Sequence, residues 1–521
     1  MSTWAKKIAG LLVALVWMAA LVPGAAASAD TGGDSVFLEI YSINDFHGAL
    51  TAGGKNPGAA KLAQYLKECK QADPQGSFVF SGGDMFQGTP ESNMLYGKTV
   101  VAMMNEIGFD AMTLGNHEFD WGLDVLKERI QQSKFPVIAA NVLDKTTGKP
   151  FALVKPYVLL KKQGVTVGVI GMATPETAYK ASPRLLAGLE FADPARIVEQ
   201  LLPELKAQGA DIIVVLSHLG SHQDKGEVGG EAAELAKSVS GVDLIISAHE
   251  HRLVAGEVNR IPVVQAGYNG RAVAKTTLEY SPAQKKVIDA KMAIIELPFD
   301  GLTQDAAVQK LVEQAEQELA PVKNVVLGNT VNGLEHDRSR LSVLGQWATD
   351  AMRQASQADI AFLNGGGLRT GIAAGNITMG KLYEVSPFDD TLITLDLTGE
   401  QIKAVLEYGI RNANIGMVQF SGLQVNYDAS LPQGQRVTAM ILSSGMKLAA
   451  EKKYRVCINN FMTEGGDGFT MFKSGTHIID TFIPVRDAFR DAVKKAGVID
   501  FDGDQRLLEE HGPGMEQKPA A

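Results

Sequence analysis

Asn116, His117, Glu118, Phe119 and Asp120 stand in one run inside TLGNHEFDWG. All but the phenylalanine can bind a metal, carry a proton or accept hydrogen bonds, and burying any of them without partners is costly. A simple turn needs no such group. Four further stretches carry the same kinds of side chain. YSINDFHG holds Asp45 and His47, SGGDMFQG holds Asp84, VVLSHLG holds His218, and IISAHEHR holds His249 and His251. Singly, each reads as something plainer: a cap, a turn, a satisfied histidine, a pair of surface residues. Together, Asp45, His47, Asp84, Asn116, His218, His249 and His251 form a donor set of carboxylates, imidazoles and an amide. Such donors suit Mn²⁺, Zn²⁺, Mg²⁺ or Fe rather than a thiolate site. They are too many for one four-coordinate ion and suit two ions sharing a carboxylate. Two ions about 3.5–4 Å apart can polarise a phosphoryl group and generate hydroxide at neutral pH.

Something must hold these residues together. VFLEIYSI, SFVFSG, FDAMTLG, PVIAANV, VTVGVIGMA, DIIVVLSH, VDLIISAH and PVVQAG read as short apolar strands. Helical stretches such as AAKLAQYLKEC and LDVLKERIQQS lie between several of them, the pattern of a layered α/β domain. The polar clusters fall where strands run out, the usual place for a site in an open α/β sheet. This domain is expected over 35–298. AAVQKLVEQAEQELAPV reads as one linker helix that ends near Pro321, within a linker over 299–324. Helices (LSVLGQWATDAMRQAS, TGEQIKAVLEYGI) and strands (DIAFLNGG, TLITLDL, YRVCINNF) then form a second α/β unit over 325–508. The stretch 509–521 reads as a disordered tail.

The 521-residue chain has material for several domains, and its net charge is −10. Lys6 and Lys7 precede the uncharged run IAGLLVALVWMAALV, with small residues at Ala27 and Ala29. That is the pattern of a secretory signal over 1–29. Its removal would take away two lysines and no acids, moving the charge from −10 to −12. An acidic balance argues against a general binder of nucleic-acid polymers or anionic membranes. No later run is apolar enough for a membrane anchor, so a secreted protein, periplasmic or extracellular, is expected. Cys69 and Cys457 fall in different domains and read as separate thiols.

The ordered set Asp-x-His, Gly-Asp, Gly-Asn-His-Glu, His, His-x-His resembles the calcineurin-like metallophosphoesterases. INDFHG, GGDMFQG and LGNHEFDWG resemble the secreted 5′-nucleotidases in particular. The resemblance implies an N-terminal four-layer α/β–β sandwich joined by the linker helix to a substrate-binding α/β domain. It implies two divalent ions, of Mn, Zn, Co or Mg. Asp45, His47 and His251 would hold one, Asn116, His218 and His249 the other, with Asp84 bridging. His117 and Asp120 would be a catalytic pair that binds no metal, and Glu118 is expected to bond backbone. SAH, with Ala248, stands where the family usually has GGH.

FLNGGGLRTGI, EVSPFDD and NNFMTEGGDGFTMF read alone as turns and a core aromatic. Glycines also let backbone approach a ligand, and arginine reads phosphate or carboxylate. The resemblance makes Phe388 and Phe461 a clamp on the base, Asp467 a ribose ligand, and Asn364 and Arg369 phosphate ligands. Arg338 would be a further phosphate ligand, with Arg340 as the alternative in HDRSRLSVLGQ. Asp389 and Asp390 replace the usual PFGG or PFGN and are expected to bring negative charge to the base pocket.

The function expected is removal of the 5′-phosphate from nucleotides, with nucleotide substrates as the partners. Rotation of one domain about the linker is implied, because the two half-sites lie on different domains. The rivals are hydrolysis of 2′,3′-cyclic nucleotides, UDP-sugars or nucleoside di- and triphosphates, a di-manganese thiosulfohydrolase, and an inactive binding protein.

Overall fold

The computed structural model describes residues 35–510 except 54, 183 and 298–300. The secretory signal expected over 1–29 lies outside the described residues, as do residues 511–521 of the expected tail. The first lobe is built on two six-stranded sheets packed face to face. In one, the strands Val36–Ile43, Ser77–Ser81, Ala111–Thr113 and Val137–Ile138 run parallel, and Ala272–Ser281 and Lys286–Glu296 close one edge antiparallel. In the other, Val165–Met172, Ile212–Gly220, Leu244–Ala248 and Ile261–Ala266 run parallel, with an antiparallel strand at each edge. Leu38, Phe78, Phe80, Val169, Val214 and Ile246 lie in the dry layer between the sheets. Strands buried on both faces read as unbroken apolar runs, which is why these segments were legible. Helices cover both outer faces, as in the pairs Leu62–Val100 and Val198–Leu235 of the two outer cores. The result is the four-layer α–β–β–α sandwich.

The helix Ala306–Lys323 starts on Asp305, whose side chain accepts from the Val308 N–H at 2.9 Å. It buries Val308, Val312, Ala315 and Leu319, one stripe at helical spacing. Val308 and Val312 join the outer core of the first lobe, and Asp305 pairs with Lys67 at 2.8 Å. The helix passes Pro321 and runs on to Lys323, two residues beyond its expected end. Proline removes one intrahelical bond and crowds the carbonyl four residues back, and the helix ends two residues after it.

The second lobe has a five-stranded sheet ordered Gln419–Ser421, Ile360–Leu363, Lys453–Asn459, Thr391–Thr398, Thr476–Pro484. Ile360–Leu363 and Lys453–Asn459 are its parallel pair. The helices Val343–Ser356 and Val485–Ala496 cover one face of this sheet, and Gly399–Gly409 covers the other. Leu507–Glu509 pairs with Leu423–Tyr427, and the Glu510 N–H donates to the Tyr427 carbonyl at 2.9 Å. Glu509 and Glu510 therefore belong to the second lobe rather than to the tail. Cys69 and Cys457 are both free thiols.

Candidate active site at the strand ends

The parallel strands of both sheets deliver their C-terminal ends to one edge of the first lobe. Asp45 and His47 follow Val36–Ile43, Asp84 follows Ser77–Ser81, Asn116 and His117 follow Ala111–Thr113, and His249 and His251 follow Leu244–Ala248. His218, expected as the last residue of its strand, instead lies inside Ile212–Gly220. A register shift between Ile246 and Ala248 pairs Ala248 with Gly220 and carries that strand two residues past the histidine.

The side chains converge in two groups. Ligand atoms of Asp45, His47 and His251 lie within 4.8 Å of one another, and so do those of Asp84, His218 and His249. His47 Nε2 is 3.0 Å from His251 Nε2, and His251 Nε2 is 3.5 Å from Asp45 Oδ1. His218 Nε2 is 3.1 Å from Asp84 Oδ2 and 3.9 Å from Asp45 Oδ1, which ties the two groups together. Asn116 is buried beside them, 2% exposed.

The residues fit a pair of cations on several counts. Asp45 Oδ1 and Asn116 Oδ1 are buried with no hydrogen-bond partner among the described residues, and His218 Nε2 faces only the candidate ligands Asp84 and Asp45. Opposite atoms of two of them are engaged: Asp45 Oδ2 accepts from the His249 N–H at 2.9 Å, and His218 Nδ1 meets the Gly82 carbonyl at 2.7 Å. The His47 Nδ1 likewise meets the Gln87 carbonyl at 2.9 Å. The rings of His47 and His218 therefore each have one nitrogen fixed by backbone and the other turned to the cage. Burial opposes protonation of His218, yet the Asp84 carboxylate pushes it up to about 10. A proton held that firmly marks a negative potential that a cation would neutralise. Asp45, His47, Asp84, His249 and His251 all adopt positive φ, between 49° and 72°. Residues other than glycine accept that conformation at a cost of about 1–3 kcal/mol each, and such strain gathers at functional sites.

Around the cage, His117 and Asp120 form a pair, Nδ1 to Oδ2, at 2.7 Å. Burial disfavours the imidazolium, but the carboxylates of Asp120 and Asp84 outweigh it and raise His117 above its ordinary value. Glu118 accepts from the backbone N–H groups of Asp84, Met85 and Gly115 at 2.7–2.8 Å. It thus knits the two metal loops together through backbone. Burial, and then Asp84, push its carboxyl up to about 7.

The second lobe repeats the principle. Asn364 follows one strand of its parallel pair, and Phe461 and Asp467 follow the other. Asn364 Nδ2 donates to Asp467 Oδ2 at 2.7 Å. Phe461 lies so close over Gly466 that a Cβ there would sit 2.4 Å from the ring. Phe388 lies 6.1 Å from the His117 ring with the planes 29° apart, and the Arg369 guanidinium is 6.0 Å from its centroid. Arg338 lines the cavity, whereas Arg340 is turned to Asp337 and Glu335 at 2.7 and 2.6 Å. The negative charge expected from Asp389 and Asp390 is smaller than the sequence implies. Asp389 is paired with Arg486 at 2.6 Å. Asp390 is bonded by Asn459 at 2.9 Å, and burial followed by Asp120 pushes its carboxyl up to about 7.

One cavity of about 1020 Å³ is lined by Asp84, Asn116, His117, Asp120, His249 and His251 from the first lobe. Arg338, Asn364, Arg369, Phe388, Phe461 and Asp467 line it from the second. Asp45, His47 and His218 lie beneath its floor. Contacts between lobes frame it: Ser182 Oγ and the Arg184 N–H both donate to Glu464 Oε2 at 2.9 Å, and Lys180 Nζ is 3.7 Å from Asp467 Oδ1. Sequence reasoning missed several of these residues. Glu176 meets His249 Nε2 at 3.2 Å, and Tyr268 stacks on His251 with centroids 5.1 Å apart. Neither lies in a stretch with any chemical signature. Gln87, in contrast, sits inside SGGDMFQG, where the motif itself could have drawn attention to it.

The model of the calcineurin-like phosphoesterases matches residues 38–253, and that of the 5′-nucleotidase C-terminal domain matches residues 321–474. A solved structure titled as a 5′-nucleotidase precursor, from Thermus thermophilus, is 30% identical with a TM-score of 0.79. The match covers 92% of this chain and 100% of that one. Protein UshA of Yersinia enterocolitica is 29% identical over 91% of each chain. Endonuclease YhcR of Bacillus subtilis is 31% identical over 82% of this chain, which spans 37% of the length of that relative.

Proposed function

The chain belongs to the 5′-nucleotidase family of calcineurin-like phosphoesterases and is a metal-dependent phosphoester hydrolase, and from that premise we propose that it removes the 5′-phosphate from nucleotides. The observation that carries this reading is the shared cavity, with the cage on one wall and Asn364, Arg369, Phe388, Phe461 and Asp467 on the other. We take 35–298 as the catalytic domain, 299–324 as linker and 325–508, with Glu509 and Glu510, as the substrate domain.

In this reading Asp45, His47 and His251 hold one divalent ion, Asn116, His218 and His249 the second, and Asp84 both. When bound, the ions supply Lewis-acid stabilisation of the phosphoryl group and a water of lowered pKa. The chain's own groups do the rest. Arg369, Asn364 and Arg338 position the phosphoryl oxygens. Phe388 and Phe461 stack the base, and Asp467 accepts from ribose hydroxyls. His117, kept protonated and oriented by Asp120, donates as charge develops on the leaving oxygen. Export belongs to the same proposal and is supported by the pattern of Lys6, Lys7 and the apolar run that follows. Among the described residues no helix is long and apolar enough to cross a membrane.

A second reading, hydrolysis of UDP-sugars or nucleoside di- and triphosphates, is favoured by the size of the cavity. At about 1020 Å³ it stands at the upper end of ordinary ligand pockets. Phosphate release from a panel of nucleoside mono-, di- and triphosphates and UDP-glucose, each with Mn²⁺, Zn²⁺, Co²⁺ and Mg²⁺, separates the two. Monophosphates are expected to be turned over best. Hydrolysis that survives exhaustive chelation would defeat both readings.

A further inference from the structure

Gln87 carries a demand that the site described so far does not meet. It lies three residues after Asp84 and is 1% exposed. Both ends of its carboxamide, Nε2 and Oε1, are buried without a hydrogen-bond partner among the described residues. The residue nevertheless belongs to the cavity wall, which Asp84, Asn116 and His251 also line.

The backbone around it leaves little freedom to escape. The Gln87 carbonyl is engaged by His47 Nδ1 at 2.9 Å. Gly88 is pressed so tightly on His47 that a Cβ there would lie 2.2 Å from the His47 carbonyl oxygen. The Gly88 N–H donates to Asn93 Oδ1 at 2.8 Å, and Asn93 Nδ2 reaches the Pro387 carbonyl of the second lobe at 3.4 Å. Gln87 is thus held on both sides, and its amide finds no partner among the described residues. If the position only filled space, leucine would serve better, because an unpaired buried amide is costly and an apolar group of similar shape is not. An amide offers one donor group and one acceptor, so it suits a ligand that presents an oxyanion next to a hydroxyl or water.

We propose that Gln87 is a substrate-contacting residue of this hydrolase: Nε2–H donates to an oxygen of the phosphoryl group, and Oε1 accepts from a hydroxyl or water bound with it. This rests on the phosphoester reading of the cavity. It is a hydrogen bond to a charged group, the stronger kind.

The test compares wild type with Gln87→Leu in the full, metal-loaded chain, measuring metal content, melting temperature, calorimetric affinity for inorganic phosphate, and turnover of AMP. Gln87→Leu is expected to keep its metal and melt no lower than wild type. Its affinity for phosphate and its kcat/KM on AMP should each fall by about 10- to 100-fold. Gln87→Glu, which removes the donor and adds like charge, should bind phosphate more weakly still. Should the leucine variant fold poorly, Gln87→Met carries the same comparison. Unchanged phosphate affinity in a folded, metal-loaded variant overturns the proposal. So does metal loss in step with activity, because the role would then lie with His47. A wild type that binds phosphate but hydrolyses no nucleotide would sink the nucleotidase reading instead, and leave the Gln87 result standing.

Discussion

The cage and the wall opposite it face one cavity but are built on opposite terms. In the cage, Asp45, His47, Asp84, Asn116 and His218 are nearly or wholly buried, several ligand residues adopt positive φ, and polar atoms point inward without partners. Across the cavity, the carboxylates are already paired with protein groups. Asn364 bonds Asp467, Lys180 approaches Asp467, and Arg486 holds Asp389. In the proposed reading cations complete the cage, and its strained loops are held by the two sheets that carry them. The wall needs no cation to pair Asp467 or Asp389. A substitution in the cage should therefore remove chemistry outright, whereas one in the wall should grade specificity.

That contrast can be broken most directly at Asp84, the residue proposed to serve both metal groups. Asp84→Asn is expected to abolish measurable turnover and to lower bound metal, as read by elemental analysis of the purified variant. Full metal content with full activity would show that the cage does not depend on it. Next in size is His117, which touches the cavity but belongs to neither metal group. His117→Asn should lower kcat by about 10²- to 10⁴-fold with metal retained, and Asp120→Asn should do so more mildly. Metal loss in proportion to activity would move His117 into the cage.

The wall should respond more gently. Stacking a base on an aromatic ring is worth about 1–3 kcal/mol, so Phe461→Ala should reduce kcat/KM for nucleotides by about 5- to 150-fold. Hydrolysis of bis(p-nitrophenyl) phosphate, which has no base, should be spared. Equal loss on both substrates, with a lower melting temperature, would make Phe461 a packing residue. Smallest of all is a test of choice between two arginines. Arg338→Ala should raise KM for nucleotide, while Arg340→Ala, which breaks only exposed ion pairs, should cost about 0–1 kcal/mol of stability and leave KM alone. The reverse outcome would require the loop to turn over when substrate binds.

Much of the first lobe was legible because its central strands are buried on both faces and read as plain apolar runs. Its antiparallel strands were not. Lys286–Glu296 alternates exposed and half-buried positions, and KVIDAKMAIIE is broken by charges that its solvent face tolerates. The metal groups stood out because buried carboxylates and imidazoles have few reasons to exist other than chemistry. Phe388 and Phe461 did not, since an aromatic residue after a turn serves a core as readily as a ligand, and only the family resemblance singled them out. Gln87 and Tyr268 show the same limit, for nothing in their residue type announces where they point.

The order of residues was enough to settle the alternation of strand and helix, the succession of the polar loops and the donor types available to a metal. These are local matters, set by periodicity, by strand ends and by the chemistry of each side chain. Which ligands meet was left to the packing of the two sheets, which brings Asp45 and His251 together although they stand 206 positions apart in the chain. The same three-dimensional arrangement turned Arg338 rather than Arg340 to the cavity, set Arg486 against Asp389, and gave Glu118 its backbone partners. Each of these depends on a partner far along the chain or on the direction of a loop, and neither is encoded in the spacing of residues.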